Sequence, residues 1–287
     1  MTPTLRACVW MIGAIVSFTS MAIAGRQVSF ALDTFEIMTY RSILGIVIVC
    51  VAAGLSGTWQ QINRQQLRLH AIRNMAHFTG QNLWFFALTV IPLAQVFALE
   101  FTTPIWVLLL SPLLLGERMT RIGLIAALIG FIGVLIVTRP GSAPLSTGLI
   151  AAALCAVCFA FSAIFTRKLT RTQSITCILF YLTTMQAVFG LICSGWDGDI
   201  ALPTAQTLPW LVLIGCAGLF AHFCLTTALS LAPASIVMPI DFVRLPAIAV
   251  VGALAHGELI DPYILLGAAL IFGGNYLNIT KGQAVRA

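Results

Sequence analysis

The chain has 287 residues, of which 60% are hydrophobic and only 8% are charged, with 15 Lys+Arg against 9 Asp+Glu and a net charge of +6. A soluble domain carries about 25% charged residues, so too few polar side chains exist here to cover a water-facing surface. That excludes soluble enzymes, nucleic-acid-binding modules and disordered scaffolds; the basic residues lie in short loops where lipid headgroups are their partners.

A helix crosses the bilayer core with roughly 20 apolar residues. Ten such runs are predicted in chain order, at 7–25, 36–54, 70–90, 94–115, 121–138, 148–165, 175–194, 209–230, 235–255 and 262–279. The first run, with Arg6 before it and an A-x-A at Ala22 and Ala24, has the look of a cleavable secretory signal. The repeat described below argues against cleavage, because this run has an internal counterpart. The longest polar pieces are 55–69 and 195–208, so no soluble domain is expected.

Orientation follows from the basic residues. With the N-terminus in the cytoplasm, Arg6, Arg64, Arg68, Arg73, Arg118, Arg121, Arg167, Lys168, Arg171, Lys281 and Arg286 fall on the cytoplasmic side, against Arg26 and Arg139 opposite. Both termini are therefore expected in the cytoplasm.

The eight cysteines fall almost entirely within apolar runs, where cysteine behaves as a small hydrophobe. Cys155 and Cys158 form a C-x-x-C with no His, Asp or second pair nearby, so neither a metal nor a cofactor is expected.

Sliding the chain along itself by 141 residues aligns identities without gaps. Phe18 meets Phe159, Arg26 meets Arg167, Tyr40 meets Tyr181, Pro92 meets Pro233, Glu100-Phe101 meets Asp241-Phe242, and Gly116-Glu117 meets Gly257-Glu258. Each half is one five-helix unit, 7–138 and 148–279. Five is odd, so the two units enter the membrane in opposite senses. Inverted repeats with a site near the midplane between them are a recurring construction of secondary transporters.

The residues are also similar to a known family. Phe35-Glu36 with Tyr40-Arg41, the stretch from Arg73 to Thr120 with its Ala87-Leu88 to Pro92 turn and its terminal Gly116-Glu117, and the weaker second copies at 228–242 and 256–260 resemble the ten-helix drug/metabolite transporters with two EamA repeats. The resemblance implies an all-α integral membrane carrier of a small metabolite in the bacterial inner membrane. Amino-acid-like, S-adenosylmethionine-like and vitamin-like solutes all fit it. Arg41 departs from the repeat, since Leu182 stands at its counterpart.

Ionisable groups inside spans cost roughly 2.5–3.5 kcal/mol at a helix centre and face interiors or water. Four are read inside spans: Arg41, Glu100, Asp241 and Arg244. Similar depths make an Arg41–Glu100 pair geometrically possible, serving either a substrate or proton site or a structural lock. Asp241 and Arg244 are spaced i, i+3 and share a helix face, as a self-neutralising pair or as a clamp for a zwitterion. Asn74, His77 and Gln81 share one face of the third span, flanked by Phe78, Trp84 and Phe85, and His222 matches Gln81 in the second half. That face is read as a cavity wall for a zwitterionic or aromatic solute, the bland reading being a polar stripe bridging helices. Glu100 or Asp241 would couple transport to protons. Pro92, Pro104, Pro112, Pro233, Pro239 and Pro246 bend the fourth and ninth spans or begin them. Gly123, Gly130, Gly133, Gly267 and Gly274 allow close packing of the fifth and tenth spans, or a homodimer contact.

No Walker loop is present, which excludes direct ATP use. The competing class, an intramembrane enzyme on a lipid-linked substrate, lacks H-E-x-x-H and G-x-S-x-G signatures; a channel would need rings of like charge.

Overall fold

A computed structural model of the chain describes residues 2–116, 120–139, 146–196, 198–241 and 262–281, together with 244, 248, 250 and 254. Eleven α-helices are traced among these: α1 Pro3–Val28, α2 Thr34–Leu55, α3 Leu67–Val90, α4 Leu93–Glu100, α5 Thr103–Leu115, α6 Arg121–Thr138, α7 Thr147–Leu169, α8 Ile175–Ser194, α9 Leu208–Leu231, α10 Ala234–Ile240 and α11 Pro262–Lys281. No strand occurs among the described residues. The ninth predicted span beyond Asp241, apart from isolated positions, lies outside the described residues, as do Glu117, Arg118, Pro246, Gly257 and Glu258.

Local chemistry sets the helix starts. Thr2, Asp33, Thr120, Ser146 and Ser174 each hold an extended backbone and accept a hydrogen bond from the N–H three residues on, the side-chain cap that satisfies an otherwise orphaned donor. Asp33 and Glu36 form a reciprocal capping box, at 2.8 and 2.9 Å. Gly116 closes α5 at φ 68°, a left-handed conformation that glycine adopts without strain.

The chain is an all-α multi-pass membrane protein. Among the described residues, six apolar helices are long enough to cross a bilayer, counting Gln95–Leu115 through the break between α4 and α5. Large apolar side chains such as Val47, Val51, Leu128 and Phe272 are more than half exposed on the helix exteriors, the surface expected to meet lipid. By contrast α3, at 24 residues and about 36 Å, is long enough to span but is not in that apolar set. Its polar stripe is the reason, and that stripe turns inward.

The helix ends reproduce the repeat. Shifting α3 by 141 residues gives 208–231, the limits of α9. Helix α1 packs on α9 and α3 packs on α7, two pairings that the repeat exchanges; α2 with α8 and α6 with α11 each map onto themselves. This is the pattern a two-fold relation between halves requires. The glycine stripe serves one of these pairings: a Cβ on Gly274 would sit 2.7 Å from the Ala126 carbonyl oxygen, so α6 and α11 approach backbone to backbone.

Among the apolar clusters that result, one gathers Ala22, Ala87, Leu88, Val96 and Phe97; a second gathers their repeat mates Ala163, Ala228, Leu229, Val237 and Met238; a third, smaller one gathers Val49, Leu179 and Leu182. A cavity lies where the first two meet, lined by Met21, Trp84 and Phe101 from one and Met11, Ala163 and Met238 from the other.

Candidate functional site

Helix α3 supplies one wall. Arg73, His77, Gln81 and Trp84 are spaced 4, 4 and 3, so one face carries all four, and all four line the cavity. Each is almost completely buried.

The charged end of the cavity forms where two helices stop. Pro104 has no N–H to offer the Glu100 carbonyl, so the fourth predicted span divides into α4 and α5 with Glu100 at the division. In the second half, α10 ends at Ile240, immediately before Asp241. Helix interruptions of this kind put carboxylates and freed backbone groups beside a midplane site. Arg244 joins the two acids: its Nη2 donates to Glu100 Oε1 at 2.5 Å and to Asp241 Oδ2 at 2.6 Å. Trp84 Nε1 donates to the other Glu100 oxygen at 2.7 Å. The rings of Phe18, Phe97 and Phe101 stand 5.0–5.3 Å from the Arg244 guanidinium, within cation–π range.

A row of four rings forms another wall. His77 meets His222 edge-on with centroids 4.6 Å apart; Phe159 stands 6.0 Å from His77 and Phe18 stands 5.5 Å from His222. The outer two are repeat mates.

The cavity between these walls has a volume of about 70 Å³ and is partly open. His77 Nε2, Gln81 Nε2, both nitrogens of His222, Asp241 Oδ1 and Arg244 Nε are buried around it without a hydrogen-bond partner. Buried polar atoms are ordinarily paired, by protein or by something bound.

Seven of the nine sequence-predicted residues meet here: His77, Gln81, Trp84, Glu100, His222, Asp241 and Arg244. Two do not. The Arg41–Glu100 pair that depth allowed is absent, because Glu100 is taken by Arg244 and Trp84; Arg41 instead donates to the Met38 sulfur at 3.6 Å and packs beside Gly218, where a Cβ would meet its Nη2 at 2.9 Å. Matching depth did not fix which way round the helix each side chain pointed. Asn74 is turned away from the cavity: its Nδ2 donates to the Tyr181 carbonyl and its backbone carbonyl accepts from Gln186, so it ties α3 to α8.

Arg73 was the residue missed. Counted among the cytoplasmic loop charges, it is 2% exposed and lines the cavity. The signal was its spacing of four before His77. Cys155 and Cys158 pack tightly, the latter against Gly80, and no group of three or more His, Cys, Asp or Glu fit for a metal exists among the described residues. The Glu36 and Tyr40 motif is an outer strap: Ala201 donates its N–H to Glu36 at 2.5 Å, and its carbonyl accepts from Tyr40 at 2.7 Å.

Comparison with known proteins agrees with this architecture. The chain matches the EamA-like transporter family twice, over residues 5–139 and 146–280. It is 28% identical to a riboflavin transporter of Vibrio cholerae, across 93% of this chain and 90% of the relative. It is 22% identical to an S-adenosylmethionine uptake transporter of Rickettsia bellii, across 91% and 89%. A crystal structure aligns over 98% of this chain and 99% of its own with a TM-score of 0.77 at 20% identity, which shows the shared fold.

Proposed function

The chain belongs to the EamA-like transporter family, and from that premise we propose that it takes up a small metabolite built around a planar heteroaromatic group, a group that riboflavin and S-adenosylmethionine share. The intramembrane-enzyme alternative finds no support, since the relatives are named as transporters. One observation carries the heteroaromatic reading. The buried, unpartnered polar atoms of His77, Gln81, His222, Asp241 and Arg244 surround a cavity whose wall is a row of rings. Rings stack a planar solute with centroids about 4.5–7 Å apart, while the free donors and acceptors meet its edge.

In this reading the units 7–138 and 148–279 rock against each other, opening the cavity to either side in turn. His77, Gln81, His222 and Trp84 contact the solute. Glu100, Asp241 and Arg244 form the coupling centre, and one carboxylate takes a proton as its bond to Arg244 is broken. The carrier sits in the inner membrane with both ends of the chain in the cytoplasm.

Uptake of riboflavin into proteoliposomes, with and without an imposed pH gradient, tests the scheme. Saturable uptake accelerated by an inward proton gradient is expected, with Glu100→Gln losing that acceleration. Failure of riboflavin to enter or to compete overturns the heteroaromatic reading; indifference to pH overturns the coupling. Single-cysteine labelling at residues 2 and 146 tests the inversion, and labelling of both from one side contradicts it.

A further inference from the structure

We infer that Arg73 forms an oxyanion subsite at the end of the cavity away from the Glu100–Asp241–Arg244 cluster, so that the transported solute carries a carboxylate or phosphate group on its ring-bearing body.

The two arginines that line the cavity differ in their partners. Arg244 is neutralised by two carboxylates. Arg73 is 2% exposed, yet no carboxylate pairs with it among the described residues. Its Nε donates to Thr166 Oγ1 at 3.0 Å and its Nη1 to Asn74 Oδ1 at 2.7 Å, both neutral oxygens. No bond to an acceptor among the described residues is made by the remaining nitrogen, Nη2. Burying an ionised group without a counter-charge is strongly unfavourable, and guanidinium never sheds its proton in proteins. The arginine lines the cavity, so a counter-charge can reach it from there.

The surroundings orient it for that task. Thr166 gives its own proton to the Ser162 carbonyl at 2.7 Å, which turns a lone pair toward Arg73 Nε. Asn74 is in turn held by the Tyr181 carbonyl. The planar fork is thus fixed on two sides, the arrangement that suits bidentate capture of an oxyanion. The partnerless His77 Nε2 and Gln81 Nε2 lie one and two turns further along the same face. Arg73 and Trp84 are eleven residues apart on α3, about 16 Å. A solute that spans this stripe meets a cation first, then rings, then the acid cluster.

The inference rests on the proposed heteroaromatic reading for the body of the solute, and the test separates the two. Thermostability shifts of purified protein in nanodiscs are measured with solutes paired by charge: riboflavin against flavin mononucleotide and against carboxymethylflavin, and indole acetamide against indole acetate. In wild type the oxyanion-bearing member of at least one pair binds roughly tenfold or more tightly, the size of one charge-assisted hydrogen bond. Phosphate and carboxylate arms show which oxyanion is favoured. Arg73→Gln removes the preference, Arg73→Lys keeps part of it, and Thr166→Val weakens it. Equal binding within every pair overturns the subsite, as does an Arg73→Gln variant that weakens both members equally. Should Arg73→Gln fail to fold, the wild-type preference and its reduction in Arg73→Lys decide. If riboflavin binds with no preference for charge, the subsite falls and the heteroaromatic reading stands. If no flavin binds but the indole pair splits through Arg73, the subsite stands and riboflavin is ruled out as cargo. If nothing binds, both fall.

Discussion

The wall contributed by α3 and the matching wall contributed by α9 are the same piece of chain twice, and they differ in almost every side chain that matters. Shifting Arg73, His77, Gln81 and Trp84 by 141 residues gives Ile214, Gly218, His222 and Leu225. The helices begin and end in register. Only Gln81 and its mate His222 both bring polar nitrogen to the cavity. The acids are kept in both halves, as Glu100 and Asp241, whereas the cation between them is not: Arg244 answers to Thr103. The fold therefore tolerates wide chemical divergence as long as volume and helix packing persist. Symmetry builds the chamber; departures from symmetry give its two sides different chemistry.

Substitutions at mated positions can break or sharpen that contrast. The largest effect is expected at Arg244. Arg244→Met leaves two carboxylates buried without their cation, a change that costs about 3–5 kcal/mol, and it should abolish uptake and lower the thermal midpoint at matched abundance. Wild-type uptake in this variant would show that the two acids need no cation. Next comes Trp84, whose mate is Leu225. Trp84→Phe keeps the ring and removes the donor to Glu100, a charge-assisted bond worth about 1.5–3 kcal/mol; weaker proton-driven uptake with retained solute exchange is expected in a counterflow assay. A smaller effect is expected at Gly218, the mate of His77. In Gly218→Ala the new methyl meets Arg41 Nη2 at 2.9 Å and the Met21 sulfur at 3.2 Å; both are ends of flexible side chains that can give way, so the cost lies near the low end of the about 1–3 kcal/mol for overpacking, read as a slightly lower melting temperature in detergent. The smallest effect belongs to Thr103, the mate of Arg244. Thr103→Val loses a 3.1 Å bond to the Ala156 carbonyl, about 0.5–1.5 kcal/mol. A Thr103→Val defect as severe as that of Arg244→Met would mean that the two positions are functionally equivalent after all.

The sequence already carried the membrane class, the all-helical fold and the two-copy construction, because apolar runs of fixed length and a gapless offset are global patterns that no single contact can disturb. The fifth and seventh spans were placed at the limits observed, 121–138 and 175–194. What it could not show was azimuth. Arg41 and Glu100 were matched by depth, yet Glu100 faces Arg244, 144 residues away in the chain. The fourth span read as a single apolar run, and the break at Phe101-Thr102 became visible only once the consequence of Pro104 for the Glu100 carbonyl had a structure around it. Arg73 was hidden by its neighbours: it stands close to the polar loop that ends before Leu67, so it was counted with Arg64 and Arg68 on the cytoplasmic surface. Its burial depends on α7, whose Thr166 lies 93 residues away.

The ion bridge spans the two repeats, since Glu100 belongs to the first and Arg244 to the second. In the proposed scheme, any rocking that parts Glu100 from Arg244 would first have to pull a carboxylate off a guanidinium in a place where water is scarce. An unladen carrier would meet that obstacle on every half-cycle, while a proton or a cargo group taking over one side of the bond would let the movement proceed. On that proposal, a single shared nitrogen would discourage idle shuttling, which dissipates a gradient for nothing.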